Sequence, residues 1–258
     1  MKVGCYTDCP VQQPLCFFIR RYRVIYVIGD VHGKCEQLKD LIKKMKLRPE
    51  DELYILGDII DRGPDSVKAL RFLMSLPNCH CIAGNHEMML LENMKFLLSE
   101  ITDDFLNHLS GQNMELLVNW INNGASGTIS EFSKLSKEEI KDILEFVGDF
   151  EAYVELEVNG QKYLLVHAGL GNFSEDKELY DYTIEELVWT RAAYDAPYYQ
   201  DVIVVTGHTP TQKILNNPRT GYIFRGNNHI AMDCGACYPH GRLAGICLET
   251  GEEFYSDC

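Results

Sequence analysis

The chain contains the stretch YRVIYVIGDVHG at residues 22–33. Its first part is rich in β-branched and aromatic side chains, which predicts a strand at 22–28, and Gly-Asp follows as a turn. The same order recurs in LYILGDIIDRG at 53–63 and in CHCIAGNHE at 79–87, and apolar residues at helical spacing follow each stretch. The predicted helices are 36–46, 66–76 and 87–98. Three successive strand–turn–helix units predict an α/β fold with a mainly parallel sheet and right-handed crossovers.

The remainder of the chain predicts a helical segment and then further strands. Helices are predicted at 103–109, 114–122 and 137–147, within a helical insertion or cap that spans about 100–148. Asn159-Gly160, the strongest short hairpin signal, joins predicted strands at 152–158 and 162–166. A helix is predicted from Thr183 to Arg191. The last predicted strands are 202–206, 222–224, 229–232, 243–248 and 253–255.

Residues 1–20 show neither a helical nor a strand period. We interpret them as an N-terminal extension and expect it to be poorly ordered. No repeat and no low-complexity linker divides the rest of the sequence, so residues 21–258 are predicted to form one domain.

Composition excludes several classes of protein. With 46% hydrophobic residues in a chain of 258, the protein has enough apolar material for a core. The formal net charge of −14 argues against a general nucleic-acid partner. No apolar run approaches the length of a membrane span, and no signal-peptide pattern is recognisable, so we expect a cytoplasmic protein without a membrane partner. Ten cysteines in a chain of this length are expected to be reduced thiols.

Polar residues cluster just after five of the predicted strands, where open α/β sheets bind their ligands. Each cluster alone is weak evidence, because Gly-Asp is commonly only a turn and a single histidine commonly has a structural role. Together they offer carboxylate, imidazole and amide oxygen without thiolate, a set that suits Mn²⁺, Fe or Zn²⁺. The clusters are residues 29–33, 57–63, 84–87, 166–169 and 207–209.

These motifs resemble the phosphoprotein phosphatase family of calcineurin-like dinuclear metallophosphoesterases, in particular its bacterial and phage branch. The pattern GD-x-HG, GD-x-x-DRG and GNHE is met at 29–33, 57–63 and 84–87, and the later histidine motifs follow in order. Looser matches lie at 120–128, 189–191 and 233–243. The resemblance covers about residues 22–255. It implies a calcineurin-like metallophosphoesterase fold with central mixed β-sheets layered with helices and a helical insertion between the third and fourth motifs.

The resemblance also implies a centre of two divalent metal ions, with Mn²⁺ expected and Fe or Zn²⁺ as alternatives. Asp30 and His32 would bind the first ion, and Asp58 would bridge both. The implied ligands of the second ion are Asn85, His167 and His208. A carboxylate bridge is physically apt, because two-metal hydrolysis requires cations about 3.5–4 Å apart. The ions would activate a shared water, whose hydroxide attacks phosphorus.

Four further residues receive roles from the same resemblance. His86 is similar to the general acid that protonates the leaving group, and Asp61 to the carboxylate that orients it. Arg62 and Arg191 would hold the phosphoryl oxygens, where guanidinium offers bidentate geometry. Glu87 is expected to support the site rather than to bind metal.

The predicted activity is that of a serine/threonine protein phosphatase acting on a phosphorylated protein or peptide. The alternatives are a symmetrical diadenosine tetraphosphate hydrolase and a broad phosphoesterase of small molecules. Those hydrolases tend to lose the Asp of DRG and the Glu of GNHE, whereas Asp61 and Glu87 are both present here. A non-catalytic phosphate-binding scaffold is a third alternative, which would be expected to have lost a ligand, and none is lost.

The cysteine spacings allow a further interpretation. Cys79-His80-Cys81 and the C-x-x-C of Cys234 and Cys237 have spacings that structural zinc or redox sites use. Cys81 falls in a predicted buried strand, and no thioredoxin-like context surrounds Cys234. The sequence therefore favours ordinary thiols at these positions.

Overall fold

A computed structural model describes residues 23–97, 111–215 and 217–257. The predicted N-terminal extension at 1–20 and the predicted helix at 103–109 lie outside these ranges. Within them, no helix combines the length and the apolar composition needed to cross a membrane.

In the described residues the first three strands alternate with helices, and further helices and then further strands follow. The strands are β1 Ile25–Ile28, β2 Glu52–Ile55, β3 Cys79–Cys81, β4 Tyr153–Val158, β5 Gln161–Val166, β6 Val202–Thr206, β7 Phe224–Gly226, β8 His229–Ala231, β9 Ala244–Cys247 and β10 Glu253–Tyr255. The α-helices are α1 Cys35–Met45, α2 Ser66–Met74, α3 Asn85–Leu97, α4 Gly111–Asn122, α5 Ser126–Phe132, α6 Lys137–Gly148 and α7 Ile184–Val188. Short 3₁₀ turns lie at Leu179–Asp181 and Thr211–Lys213.

The strands form two mixed sheets of five strands each. The first has the order β10-β9-β1-β2-β3, in which β1, β2 and β3 are parallel as predicted and β9 and β10 are antiparallel. The predicted mainly parallel sheet is therefore mixed, because a C-terminal hairpin completes its other edge. The second sheet has the order β4-β5-β6-β8-β7. Its predicted hairpin is confirmed, with φ of 52° at Asn159 and 81° at Gly160, as a type I′ turn requires.

An apolar layer lies between the two sheets. Val27 and Leu56 of the first sheet meet Leu165, Val205 and Ile230 of the second. Helices cover the outer face of each sheet: Leu38, Leu70 and Leu90 of α1, α2 and α3 belong to the core of the first, and Leu187 of α7 belongs to the core of the second. The α/β fold of mixed sheets layered with helices is thus confirmed.

The helices predicted at 114–122 and 137–147 are confirmed as α4 and α6. Ser136 and Glu139 form the capping box that begins α6. Helix α5 was not predicted, because it has only seven residues and contains Ser126, Gly127 and Thr128, which are poor helix formers.

The helix predicted to run to Arg191 was too long, since α7 ends at Val188. Two backbone carbonyls that would continue it are occupied by the loop after β5. The N–H of Gly171 donates to the carbonyl of Glu186 (3.0 Å), and the N–H of Ala168 donates to that of Leu187 (2.9 Å). Arg191 therefore lies in a loop.

Candidate metal centre

The six predicted metal ligands lie beyond the carboxyl ends of strands from both sheets. Asp30 and His32 follow β1, Asp58 follows β2, and Asn85 begins α3 after β3. The remaining two, His167 and His208, follow β5 and β6 of the second sheet. The structure brings them together around Asp58. Two groups of ligating side chains, each with its ligand atoms within 4.8 Å of one another, share this residue: His32, Asp58 and His86, and Asp58, His167 and His208.

Each oxygen of Asp58 faces a different group. Its Oδ2 lies 3.7 Å from Nε2 of His32 and 3.9 Å from Nε2 of His86. Its Oδ1 lies 3.4 Å from Nε2 of His167. Burial alone would raise the pKa of Asp58, but the surrounding imidazoles, His167 foremost, hold it below its ordinary value. A buried, ionised carboxylate thus sits between two sets of nitrogen ligands.

The second group contains acceptor atoms that face one another. Nδ1 of His167 donates to the carbonyl of Leu56 (2.6 Å), so the lone pair of its neutral ring is at Nε2. That atom lies 3.1 Å from Oδ1 of Asn85, and Nδ1 of His208 lies 2.9 Å from the same oxygen. Burial lowers the pKa of His167, and burial together with His167 lowers the pKa of His208 to about 3. The lone pairs of His167 Nε2 and Asn85 Oδ1 face each other and fit a cation, whereas Nδ1 of His208 can donate to this oxygen or bind the same ion.

The first group has the same property. Nδ1 of His32 donates to the carbonyl of Ile60 (3.0 Å), which leaves the lone pair at Nε2, 2.7 Å from Nη1 of Arg62 and 3.7 Å from Oδ2 of Asp58. Burial lowers the pKa of His32 to about 3. Asp30 completes this side, with both carboxylate oxygens 3.0 Å from the backbone nitrogen of His208. Burial, with Asp233 and Asp58 nearby, raises the pKa of Asp30 well above its ordinary range, which a neighbouring cation would reverse. The donor set fits two divalent ions.

Several of these residues have left-handed backbone conformations that favour glycine. The φ angles are 45° at His32, 47° at Asp58, 70° at Asp61, 63° at Arg62 and 61° at His208. Such conformations cost about 1–3 kcal/mol each for residues other than glycine. Among the described residues other than glycine, five of the twelve with positive φ lie at the predicted site, in the tight turns that follow the strands.

His86 is held by a buried hydrogen-bond network. Its Nδ1 lies 2.6 Å from Oδ2 of Asp61, and both side chains are fully buried. Trp120 donates to Oδ2 of Asp61 (2.8 Å), and Thr128 donates to Oδ1 (2.6 Å). Burial by itself would lower the pKa of His86, but Asp58 and Asp61 raise it. Trp120 and Thr128 lie in the stretch 120–128, a looser match to the family for which the sequence analysis predicted no role.

The two predicted arginines occupy different places. Arg62 lies at the centre, with Nη1 2.7 Å from Nε2 of His32 and Nη2 2.8 Å from Nε2 of His86. Arg191 is exposed at the rim, where its Nη1 donates to Oγ1 of Thr209 (3.4 Å), next to His208. Arg62 thus engages the ring nitrogens of His32 and His86, whereas Arg191 faces solvent beside the centre.

Two buried carboxylates outside the predicted ligand set support the centre. Glu87 accepts hydrogen bonds from the backbone N–H groups of Gly84, Asp58, Ile59 and Ile60, at 2.8–3.3 Å. Burial, then Asp58, raises its pKa to about 7. Asp233 follows β8 and accepts from the N–H of Gly235 (2.8 Å). In the sequence analysis Asp233 is only part of a looser match. It follows a predicted strand and lies two residues before Gly235, and a carboxylate near glycine after a strand is the signal that the other site residues share.

Neither group of ligating side chains in the described ranges contains a cysteine. Cys81 and Cys234 are buried, and burial raises the pKa of both thiols. Neutral, buried thiols agree with the interpretation of these cysteines as packing residues.

The family model described as "Calcineurin-like phosphoesterase" matches residues 23–231. The chain belongs to the calcineurin-like phosphoesterase family. The chain is also similar to curated bacterial enzymes named "Bis(5'-nucleosyl)-tetraphosphatase, symmetrical". It is 35% identical over 113 residues to the one from Erwinia tasmaniensis and 37% identical over 99 residues to the one from Pectobacterium atrosepticum. These matches cover 43% and 37% of the chain and 41% and 35% of the relatives, so the chain spans well under half the length of each.

Solved structures share the fold of this phosphoesterase over most of its length. A crystal structure of a candidate diadenosine tetraphosphatase superposes with a TM-score of 0.62 at 19% identity, covering 90% of the chain and 92% of that structure. A protein serine/threonine phosphatase from Saccharomyces cerevisiae superposes with a TM-score of 0.54 at 16% identity, covering 92% and 81%. At these identities the likeness establishes the fold alone.

Proposed function

We propose that this phosphoesterase is a two-metal hydrolase that cleaves the central anhydride of dinucleoside tetraphosphates. The position of Asp58 supports this reaction class. One of its oxygens faces His32 and the other faces His167, so a single carboxylate can contact both groups of nitrogen ligands. The substrate class is supported by the relatives named symmetrical bis(5'-nucleosyl)-tetraphosphatases, whose match includes more than a third of the chain.

Two divalent ions, with Mn²⁺ our expectation for this donor set, would polarise a phosphoryl oxygen and lower the pKa of a bound water toward neutrality. Asp30, His32 and Asp58 would hold one ion. The other would be held by Asp58 together with Asn85, His167 and His208. The hydrogen bonds of His32 and His167 to backbone carbonyls fix which ring nitrogen each presents.

Hydrolysis forms a bond between water oxygen and a central phosphorus and breaks the bond from that phosphorus to the bridging oxygen. Two nucleoside diphosphates result, and the protons of water pass to product and solvent. Arg62 at the centre and Arg191 at the rim would bind the phosphoryl oxygens and the charge that develops on them. The leaving oxygen belongs to a phosphate group, whose pKa of about 6 lets it depart as an anion.

A second candidate is hydrolysis of phosphomonoesters, including phosphoserine and phosphothreonine in proteins. The buried pair of His86 and Asp61 favours it. An alkoxide leaving group needs a proton, and a buried imidazole oriented by a carboxylate is suited to deliver one. Hydrolysis of an anhydride needs little help from a proton donor, because its leaving group is already a stable anion. A tetraphosphatase alone would therefore not require the pair of His86 and Asp61.

The experiment compares diadenosine tetraphosphate and a phosphothreonine peptide as substrates of chelator-treated protein reloaded with Mn²⁺. We expect ADP as the sole nucleotide product, formed only after reloading. Formation of AMP with ATP would contradict symmetrical cleavage. Turnover of the peptide without the dinucleotide would make the phosphoester the substrate, and no metal-dependent turnover of either would favour a phosphate-binding scaffold. Asp58→Asn protein purified in parallel controls for contaminating phosphatases.

A further inference from the structure

A cavity of about 850 Å³ opens beside the metal centre. Its volume lies in the range of small-molecule sites, about 300–1,000 Å³. The loop of residues 191–195 forms one wall, and residues 213–215 with the edge of β7 form another. Thr209, which directly follows His208, and Arg191, which bonds to it, line the cavity at the end nearest the centre. A ligand whose phosphate reaches the metal ions can therefore extend into this space.

Three cations line the cavity, and one of them already has partners. Arg225 is bound by Glu253 and by the carbonyl of Gly251. Lys213 and Arg191, in contrast, are exposed and form no ion pair with any carboxylate that the structure describes. In a chain with a net charge of −14, these two cations line one cavity with a single carboxylate, Asp195, and provide a local site for anions.

Part of the cavity lining is apolar and aromatic. Tyr194, Ile214 and Phe224 belong to one buried apolar cluster, and the rings of Tyr194 and Phe224 lie 5.6 Å apart. Leu215, at the rim, is 88% exposed. A planar heterocyclic base has apolar faces that such a surface can bury while its polar edge stays near solvent. The cavity thus offers both cations and apolar surface to a ligand.

We propose that this cavity binds the nucleoside diphosphate half of a dinucleoside tetraphosphate, with Lys213 contacting the phosphate next to the nucleoside and the apolar wall contacting the base. The proposal rests on the proposed function and names its specificity-determining residue. A phosphorylated side chain or a small aryl phosphate reaches the metal ions without entering the cavity. Lys213 therefore separates nucleotide anhydrides from simple phosphoesters.

The first test is the ratio of kcat/KM for diadenosine tetraphosphate to kcat/KM for 4-nitrophenyl phosphate, with Mn²⁺-loaded protein. Lys213→Ala should lower this ratio about tenfold to a hundredfold, the worth of one charge-assisted hydrogen bond. Ala193→Trp, which fills the cavity from an exposed position, should lower it as well. Lys137→Ala on α6 and Ala193→Ser are the matched controls. An unchanged ratio in both Lys213→Ala and Ala193→Trp would overturn the proposal.

The second test does not depend on dinucleotide turnover. ADP should inhibit 4-nitrophenyl phosphate hydrolysis by the wild-type protein, and the inhibition constant should rise about tenfold or more in Lys213→Ala. Ala193→Trp should weaken inhibition by ADP but not by inorganic pyrophosphate, which lacks the base. If the wild-type protein cleaves no dinucleotide, the proposed tetraphosphatase activity fails. The ADP measurements still decide whether the cavity takes a nucleoside diphosphate, and unchanged inhibition in both variants refutes it.

Discussion

Nδ1 of His86 and Oδ2 of Asp61 lie 2.6 Å apart, and both side chains are fully buried. The carboxylate orients the imidazole so that Nε2 faces Asp58 and Arg62. A proton donor fixed in this way contributes most where the leaving group is a strong base, and least where the leaving group is a stable anion. The His86–Asp61 pair therefore makes the contribution of His86 depend on the substrate.

We predict that His86→Asn lowers kcat for phenyl phosphate about 10²–10⁴-fold, the usual contribution of a general acid. The loss for diadenosine tetraphosphate should be about tenfold or less, because a phosphate leaving group with a pKa of about 6 needs no proton. Asp61→Asn should follow the same pattern. Steady-state kinetics on both substrates, with metal content measured in parallel, check this. Equal losses on the two substrates would exclude the general-acid role.

Asp58→Asn is expected to reduce metal binding in both ligand groups at once. The carboxylate presents Oδ2 toward His32 and Oδ1 toward His167, whereas an amide offers one neutral oxygen. Elemental analysis after gel filtration in Mn²⁺ should give two ions per chain for the wild type and fewer than one for the variant. Asp142→Asn, exposed on α6, is the control. Two tightly bound ions in Asp58→Asn would contradict the shared carboxylate.

Glu87→Gln should lower the free energy of unfolding by about 1–3 kcal/mol, the range for leaving buried backbone N–H groups without an acceptor. The carboxylate accepts four backbone N–H groups, including those of Asp58 and Gly84, and the amide of glutamine would turn a donor toward some of them. Urea unfolding in the presence of chelator measures the change. Glu92→Gln, exposed on the same helix, should stay within about 0.5 kcal/mol of the wild type. An equal effect of the two substitutions would remove this role from Glu87.

Thr128→Val is predicted to lower both stability and activity, whereas Thr128→Ser retains most of each. Valine preserves the shape of the side chain but removes the hydroxyl that donates to Asp61 and lies 2.9 Å from Oγ of Ser66. A buried carboxylate without this donor should cost about 1–3 kcal/mol. The unfolding free energy and kcat of the two variants, measured side by side, provide the check. Wild-type values for Thr128→Val would show that the hydroxyl is dispensable.

The sequence predicts the convergence of the six expected ligands well, because the carboxyl ends of adjacent parallel strands meet at one edge of a sheet. Asp30, Asp58 and Asn85 follow this rule directly. Strand–turn–helix periodicity is a local property, and it also places α1, α2 and α3 within a few residues of their observed bounds.

The parts that the sequence does not predict depend on long-range contacts. Trp120 and Thr128 reach Asp61 from more than fifty residues away, and α5 is too short to leave a periodic signal. The end of α7 is decided by loop N–H groups that occupy its carbonyls, which no pattern within 183–191 reveals. The proposed role of Lys213 likewise depends on the cavity that it lines, which the sequence does not reveal.

The second ligand group combines Asp58 from the first sheet with His167 and His208 from the second, so its geometry depends on how the two sheets pack against each other. His32 and Asp58 follow strands of the first sheet, while His167 and His208 follow strands of the second. Leu56 and Val205 in the apolar layer between the sheets therefore act as a spacer between the two halves of the centre. Close-packed interiors transmit even a one-methylene change in volume. Substitutions that change the size of these core side chains are therefore expected to alter the metal affinity of this protein without touching a ligand.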